Sequence, residues 1–480
     1  MATPMLHPMN VATIYTAEKG RLPWTTAQLR PYVVHSYQDT TKPDTWFFDT
    51  FLLIDFYIRR NVNNSSINVA ASSGYRKWII ETIQVEGEEQ EREREVVKPA
   101  LQSDWLNLID SYFGNSGSND SILKRLDDCI GQVIQEIGQP SFKHRVILSF
   151  PDPISCYVID RHGYRIFDPT DPHSYRWNDV DGTNDMRFIR YHNQNGGLDL
   201  ATDCSDCSNA LKWFVDECIS RWNSAQFQHL ELAGFHAVDE NAPGRYVAFD
   251  TYHSLQAYLQ TVGENNNMDL KLSVSLYHKR YKNLWIYNGS SQRYKDLCHA
   301  FSRVFAQPNY ATNSYGYDGL MEIINLATTE GDGVVVEMTN KCIYSVNANL
   351  FSRVEEYLDA LQGKDDMNLL FYTANGNLAY AYDPATPMVV NSQVVVFQSE
   401  DYALYDLMAQ FVRSRRQAYV HSRADINQDG VVDIADAQIV LNVMLGLDTE
   451  HATSADINGD GIVDINDFNI VQKVMLGDID

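Results

Sequence analysis

The residues whose types and spacing most clearly predict chemistry lie near the end of this 480-residue chain. A string of alternating acidic and apolar residues begins at Asp425 and returns at Asp456, 31 residues later. Each copy places oxygen-bearing residues at positions 1, 3, 5, 7, 9 and 12 of a loop, the spacing with which Ca²⁺ collects about six to eight ligands. Gly430 and Gly461 occupy position 6, where such a loop must bend sharply. The sequence therefore predicts two calcium sites.

The predicted ligands include one backbone carbonyl in each loop. In the first loop they are Asp425, Asn427, Asp429, the Val431 carbonyl, Asp433 and Asp436. In the second loop they are Asp456, Asn458, Asp460, the Ile462 carbonyl, Asp464 and Asp467. Both loops end in Asp where the general motif has Glu. Because the Asp side chain is one methylene shorter, bidentate ligation requires the backbone to lie closer to the ion.

An apolar stripe after each loop predicts a helix. The first stripe includes Ile439, Val440 and Val443, and Gly446 follows it as a helix terminator. A loop followed by a helix, with no long helix before it, is half of an EF-hand. The pair, over about residues 418–480, resembles a type I dockerin, the module that docks on a cohesin domain of a scaffold or cell-surface protein. The resemblance implies two Ca²⁺ ions and a cohesin partner.

The resemblance departs from the family pattern at the cohesin-facing loop positions 10 and 11. Cellulosomal dockerins often carry Ser-Thr there, whereas this chain has Ile434-Ala435 and Ile465-Asn466. The departure concerns the type of cohesin and leaves the calcium ligands unaffected.

Composition indicates a globular protein, with 44% hydrophobic and 12% aromatic residues. The net charge of −25 argues against nucleic acid or an anionic membrane as a partner. No apolar run reaches the roughly 18 residues that a membrane span requires. The segment from Met1 to Pro4 shows no signal-peptide pattern. Because dockerin-type sites fill at extracellular calcium levels, we expect an extracellular or cell-surface protein whose signal peptide has been removed.

The seven cysteines are scattered and odd in number. Cys204 and Cys207 form a lone C-x-x-C without a second pair. Zinc or redox chemistry is one interpretation, and buried thiols or an occasional disulfide are the simpler one.

Short apolar segments alternate with helical periodicity through the rest of the chain. The eight predicted strands are Pro31–His35, Trp46–Ile54, Arg145–Phe150, Leu230–Phe235, Leu284–Tyr287, Val304–Tyr310, Gly333–Glu337 and Asn368–Tyr372. Helical segments are predicted between them, including one after Ile54 and two across His253–Lys279, with a closing helix over Tyr402–Arg413. Eight strands in about 400 residues predict an α/β fold, a (β/α)₈ TIM-like barrel. We assign it to residues 1–415, followed by the small all-α dockerin at 418–480.

The segment from Glu86 to Glu95 is dense in charge. A basic partner is one interpretation, and a solvated helix or an insertion is the simpler one.

In such a barrel, function gathers at the carboxyl ends of the strands. Two acidic residues are predicted at these ends: Glu240 lies beyond the fourth predicted strand, and Glu337 lies at the end of the seventh. Carboxylates that face each other across a barrel mouth can cleave a glycosidic bond, one as acid/base and the other as nucleophile or base. The candidates for binding substrate are Asp49, Asp152, Tyr287, Gln307, Asn309 and Tyr310. Aromatic residues near the mouth, Trp46 among them, suit stacking on sugars, although most barrel aromatics are core.

The large domain is similar to the uncharacterised bacterial family DUF4855. The stretches that carry this resemblance are Leu29-Arg-Pro-Tyr-Val33, Trp46-Phe-Phe-Asp-Thr-Phe-Leu52, Leu232-Ala-Gly-Phe235 with Glu240, Leu284-Trp-Ile-Tyr287, Gln307-Pro-Asn-Tyr310 and Val336-Glu337. Members are exported and often carry carbohydrate-binding or dockerin modules, which implies work on polysaccharides.

The leading hypothesis is an exported glycoside hydrolase that acts on a polysaccharide or glycan and is anchored through the dockerin. The alternatives are a non-catalytic glycan-binding barrel and a structural unit of a surface assembly.

Overall fold

The computed structural model describes residues 8–16, 24–37, 39, 41–54, 57–62, 65–70, 75–85, 88–98, 102–114, 121–140, 142–150, 157–160, 165–166, 193–194, 197–198, 205–238, 249–278, 281–282, 300–311, 315–338, 342–373, 388–390, 393–395, 397–458 and 461–477. Across these residues the structure is a closed parallel barrel surrounded by helices, with a small helical unit at the carboxyl end. No helix in these stretches is both long enough and apolar enough to cross a membrane.

Eight parallel strands close the barrel in chain order. They are β1 (Asn10–Tyr15), β2 (Thr50–Ile54), β3 (His144–Phe150), β4 (Leu230–Ala237), β5 (Lys271–Tyr277), β6 (Arg303–Gln307), β7 (Gly333–Glu337) and β8 (Leu369–Tyr372). Strand β1 completes the ring, because Ala12 lies beside Phe371 of β8 on one side and Phe51 of β2 on the other. The predicted α/β barrel is confirmed.

Among the described residues, seven helices accompany the barrel strands and three follow them. The seven are α1 (Thr26–Val33), α2 (Gln102–Phe113), α3 (Ile122–Ile137), α4 (Ser205–Ala225), α5 (Phe249–Asn266), α6 (Tyr317–Glu330) and α7 (Ala348–Ala360). The three are α8 (Ser399–Ala424), α9 (Ile434–Met444) and α10 (Ile465–Leu476).

The first predicted strand, Pro31–His35, is wrong. Pro31 lies inside α1, and only Val34 and His35 are extended, in an antiparallel pair with Thr45–Trp46. A capping box explains the helix: the Thr25 side chain accepts from the Gln28 N–H, and the Gln28 side chain reaches back to Thr25. These local hydrogen bonds outweigh the strand preference of the valines.

The fifth predicted strand is also misplaced. Strand β5 covers Lys271–Tyr277, where a helix was predicted, and Leu284–Tyr287 lies outside the described residues. The segment alternates serine with apolar residues because Ser273 and Ser275 face the barrel interior. A parallel strand buried on both faces usually reads as a continuous apolar run, and this one does not.

Antiparallel strands replace the helix predicted after Ile54. Tyr57–Val62 pairs with Ser65–Ala70, and Tyr75–Val85 pairs with Glu88–Lys98, which contains most of the acidic segment. That segment is thus a hairpin insertion and not a helix. Further short strands are Tyr157–Asp160, Arg165–Ile166, Asn193–Gln194, Gly197–Leu198, Met388–Val390 and Gln393–Val395.

The hydrophobic core has two layers. Inside the barrel, buried side chains from alternate strand positions meet, among them Val11, Leu52, Phe305, Val335 and Leu370. Outside it, the other face of each strand packs on the helices. Because side chains alternate between these layers, the inward residue at the end of each strand faces the barrel mouth.

Helix α8 joins the barrel directly to the carboxyl-terminal unit. It is longer than the predicted Tyr402–Arg413 and runs for 26 residues without a break. Arg415 donates to the Asn10 side chain, and Arg416 donates to the backbone carbonyls of Trp46 and Phe47. Two turns later Ala424 packs in the small core of the carboxyl-terminal unit. No loop therefore separates the first calcium loop from the barrel helix.

Candidate functional site

The last inward residues of several strands form a polar mouth. Pairing places Glu337 of β7 beside Tyr372 of β8, and Gln307 of β6 beside Tyr277 of β5. Tyr15 of β1 meets Tyr372 edge to face, with ring centroids 5.9 Å apart. Since all eight strands are parallel, these side chains lie at the carboxyl end of the barrel, where the sequence predicts function.

Glu337 is the buried acid of this mouth, with only 5% of its surface exposed. Its Oε1 accepts from Asn309 Nδ2 at 3.1 Å, and its Oε2 accepts from the Tyr357 hydroxyl at 3.1 Å. Burial raises the pKa of Tyr357 well above its ordinary value, and the Glu337 carboxylate raises it further. Tyr357 therefore remains a donor, and together with Asn309 it fixes the orientation of the Glu337 carboxyl group.

Asn309 connects β5 to Glu337. Its backbone is left-handed, with φ of 55°, a conformation that Asn adopts more readily than most residues. Its Oδ1 accepts from the His278 backbone N–H at 3.2 Å while its Nδ2 holds Glu337. No sequence pattern pointed to His278 or Tyr357, because the role of each depends on contacts between distant segments.

Tyr310 faces away from the mouth. Its hydroxyl donates to Glu356, its carbonyl accepts from Arg353 Nη1 at 2.7 Å, and the Arg353 guanidinium lies 4.7 Å from its ring centre. It also meets the Tyr357 ring edge to face at 5.6 Å. Tyr310 thus fixes α7, which carries Tyr357, and it reaches the site only through that tyrosine.

Asp49 does not belong to this mouth. It immediately precedes β2, at the amino end of the barrel, and is fully buried. Its carboxylate accepts from the Asn10 backbone N–H, from Asn10 Nδ2 at 2.8 Å and from the Thr50 hydroxyl at 2.7 Å. Trp46 is likewise buried near this end, against Phe142. These placements contradict the predicted contact of Asp49 and Trp46 with a substrate at the mouth.

Three residues predicted at the barrel mouth, Asp152, Glu240 and Tyr287, lie outside the described residues, as does Cys204 of the C-x-x-C pair. Val238 follows β4 at the carboxyl end of the barrel, and Glu240 comes two residues later in the sequence. The pairing of Glu240 with Glu337 stays a prediction.

A polar layer lies within the barrel below the mouth. His236 Nδ1 lies 2.9 Å from the Ser273 hydroxyl, and His236 Nε2 lies 3.4 Å from the Ser275 hydroxyl. Burial lowers the pKa of His236 to about 3, so the ring is neutral near pH 7. This layer rigidifies β4 against β5 and was not predicted.

In the first calcium loop, backbone N–H groups donate to the carboxylates of the loop itself. Asp425 accepts from the N–H groups of Asp429 and Gly430, at 3.1 and 2.9 Å. Asp436 is fully buried and accepts from the N–H groups of Ile426 at 2.8 Å and Asp433 at 2.9 Å. Gly430 has the positive φ, 87°, that position 6 requires. The loop conformation therefore matches the predicted spacing.

The second loop repeats this arrangement. Gly461 has φ of 83°, and Asp467 accepts from Ile457 and Asp464 as Asp436 does in the first loop. Asp456 Oδ1 is a buried oxygen without a hydrogen-bond donor in the described part of the chain, as expected of an atom that faces a cation. Burial raises the pKa of Asp467, and the nearby Asp456 charge adds to this. A dication would neutralise that repulsion.

The described residues contain no group of three Asp, Glu, His or Cys side chains that could hold a metal ion by themselves. The predicted ligand sets also use Asn amides and backbone carbonyls, and Asp460 lies outside the described residues. The loop conformations and the unpartnered Asp456 oxygen fit a calcium ligand set.

Fold and site together define a parallel α/β barrel with a buried, hydrogen-bonded glutamate at its mouth, joined to a paired calcium-loop module. The chain belongs to the family described as "Domain of unknown function (DUF4855)", whose model matches residues 10–392. A second model, "Dockerin type I domain", matches residues 423–476, which confirms both predicted resemblances. Type I dockerin domains bind calcium.

Several solved structures are similar to this chain, but only distantly. A family 18 chitinase from Crocus vernus is 11% identical, with a TM-score of 0.34, over 78% of this chain and 97% of that one. The catalytic domain of a family GH18 chitinase from the fern Peteris ryukyuensis is 13% identical, with a TM-score of 0.35, over 84% of this chain and 99% of that one. Likenesses this distant say nothing about activity. No curated protein matches the chain significantly.

Proposed function

We propose that the protein is an extracellular or cell-surface glycoside hydrolase that acts on a polysaccharide or oligosaccharide, and that its dockerin binds a cohesin. The observation that carries this proposal is the environment of Glu337. A buried carboxylate at the carboxyl end of β7, oriented by Asn309 and Tyr357, is suited to attack an anomeric carbon or to activate water. The dockerin supports it, because such modules join proteins to scaffolds.

In this mechanism Glu337 is the nucleophile or base and Glu240 is the general acid/base. The two hydrogen bonds to Glu337 hold its oxygens in place, as a nucleophile requires. Gln307 and Asn309 would contact the sugar beside it, together with Asp152 and Tyr287. A carboxyl separation of about 5–5.5 Å predicts retention of anomeric configuration, and about 6.5–9.5 Å predicts inversion.

In the dockerin, each loop would hold one Ca²⁺ through the ligands predicted from its sequence. The ion's role here is structural, since it ties the loop to the helix that follows and shapes the cohesin-binding surface. The exposed apolar side chains of that surface include Ile434 and Ile465.

The test is Glu337→Gln, with Glu355→Gln as a matched control on the exposed face of α7. The intact protein is first incubated with a glycan panel, and new reducing ends are measured. Glu337→Gln should lower turnover of the responsive glycan by about 10²–10⁴-fold while glycan binding persists, because only the charge is lost. Glu355→Gln should behave as the wild type.

Two results would oppose the proposal. Full turnover by Glu337→Gln would remove this residue from the chemistry. Glycan binding by the wild type without release of reducing ends would favour the alternative, a non-catalytic glycan-binding barrel.

A further inference from the structure

A polar cavity opens at the amino end of the barrel, opposite the mouth that contains Glu337. Its volume is about 250 Å³, several times the roughly 30 Å³ that one water molecule occupies in the liquid. Its lining includes Lys143 and Arg145 near the start of β3, Glu231 at the start of β4, Asp269 before β5 and Arg303 at the start of β6. Charged side chains from four successive strands therefore meet there.

A β-bulge in β4 creates this cavity. Strand β4 pairs with β3 from Leu230 onward, but its pairing with β5 begins only at Gly234. The register shifts between Leu232 and Gly234, and Gly234 has φ of 140°. The first residues of β4 thus lack a neighbour on the β5 side, and the gap exposes the Ala233 carbonyl to the cavity.

Two buried arginines, Arg145 and Arg303, line the cavity beside this gap. Arg303 is 8% exposed, and its Nη1 donates to the Ala233 carbonyl at 3.2 Å. Arg145 is 5% exposed, and no acceptor among the described residues lies within hydrogen-bonding reach of its buried Nη1. Burial and the charge of Arg145 lower the pKa of Arg303 to about 10, which leaves the Arg303 guanidinium charged at neutral pH.

The acidic groups nearby have other hydrogen-bond and ion-pair partners, and their charges act on Arg145 only from a distance. Glu231 forms an ion pair with Lys143, and Asp269 lies 2.7 Å from Lys271 Nζ. Asp49, on the other side of Arg145, accepts hydrogen bonds from Asn10 and Thr50. Because Lys143 and Lys271 pair with the two carboxylates at the cavity wall, the two buried guanidiniums leave the wall with an excess of positive charge, and Arg145 still has a donor to offer.

We propose that this cavity binds a small oxyanion of the sulfate or phosphate class. Guanidinium groups present N–H donors in a planar fork that matches such oxygens, and charge-assisted hydrogen bonds formed in a buried site are strong. The anion would bind the Arg145 and Arg303 guanidiniums that line the cavity and reduce the repulsion between them. The site lies at the opposite end of the barrel from Glu337, so it is independent of the proposed hydrolysis.

The test is calorimetric titration of the full, calcium-loaded chain with sulfate. Sulfate is the probe because phosphate would precipitate calcium, and chloride at equal ionic strength controls for general salt effects. The expected result is saturable binding of one sulfate per chain and none of chloride. Arg145→Met should weaken binding at least about tenfold, because it removes a charge-assisted donor.

A second variant guards against misfolding of Arg145→Met. The Lys143 side chain is 60% exposed, so Lys143→Glu should fold normally and place a second acid beside Glu231 at the cavity edge. It should also weaken sulfate binding at least about tenfold, through charge repulsion. Lys124→Glu, with the same charge change on the exposed face of α3, is the control and should bind sulfate as the wild type does.

The proposal is overturned if sulfate produces no saturable heat. It is equally overturned if Lys143→Glu binds sulfate as tightly as Lys124→Glu does, because the anion would then sit elsewhere.

Discussion

Removal of calcium should unfold the dockerin and leave the barrel intact. The small core of the dockerin contains few large buried side chains, namely Ile426, Val440, Ile457 and Val471. Each loop also gathers several carboxylates that repel one another without a cation. Because such a core is small, we expect metal binding to supply much of the folding free energy of this unit.

The structure indicates which helices should be lost when calcium is removed. Helices α9 and α10 contain 11 and 12 residues, and both begin at carboxylates of the calcium loops. Helix α8 should persist at least to Arg416, which is held by the carbonyls of Trp46 and Phe47. At a free calcium concentration about 1,000 times Kd, the ion stabilises the folded unit by about 4 kcal/mol, and chelation removes that contribution.

Two spectroscopic signals separate the units. All eight tryptophans precede residue 418, so tryptophan fluorescence reports on the barrel alone. Excess EDTA should lower the far-ultraviolet circular dichroism signal by the helicity of α9 and α10 and leave the fluorescence spectrum unchanged. Re-addition of calcium should restore the helical signal.

A matched pair of variants tests whether the loop carboxylates are responsible. Asp425→Asn should raise the calcium midpoint of refolding by about tenfold or more, since it removes a charged ligand. Asp448→Asn makes the same change outside the calcium loops, at a carboxylate that accepts from the backbone N–H groups of Glu450 and His451 and contacts His451 Nδ1, and it should not shift the midpoint. Unchanged helicity in excess EDTA, or equal midpoints for the two variants, would refute the reasoning.

Two further predictions concern the stability of the barrel. Gly234→Ala should lower the free energy of unfolding of the barrel, measured in urea, by more than about 4 kcal/mol, because the new Cβ would lie 1.9 Å from the Lys271 carbonyl oxygen. The control is Gly316→Ala, whose new Cβ would lie in open space. It should lower the free energy of unfolding by about 1 kcal/mol or less. Burial lowers the pKa of both His144 and His236 to about 3 in the folded protein, whereas an exposed histidine has a pKa of 6.5. As the pH falls, these histidines are therefore protonated in the unfolded chain before they are protonated in the folded protein. Stability should therefore fall by about 1.4 kcal/mol per pH unit for each histidine between about pH 6 and pH 4, and a flat profile across that range would contradict this.

The conformations of the two loops were predictable because the residues proposed to bind calcium lie within a dozen consecutive positions. The positions of Asp425, Gly430 and Asp436 relative to one another are fixed by local backbone geometry, and a repeat at Asp456 makes a chance match improbable. The apolar strands β3, β7 and β8 were predictable for a similar reason, since their burial on both faces leaves an uninterrupted hydrophobic run.

Other elements depended on partners far along the chain. The serines of β5 appear polar in isolation and become interior residues only because His236 of β4 faces them. Asp49 lies next to an apolar strand, as a site residue would, but sits at its amino end, where it binds Asn10. A strand prediction that errs by a few residues cannot tell these two ends apart.

The sequence by itself determined the barrel class, the paired calcium loops and the position of Glu337 at the end of a strand, because each follows from periodicity or short-range spacing. Only the tertiary structure decided that Asn309 and Tyr357 hold Glu337, that α8 runs unbroken into the first loop, and that Arg145 and Arg303 share one cavity. These contacts join residues 20 to more than 100 positions apart, and only closure of the ring brings them together.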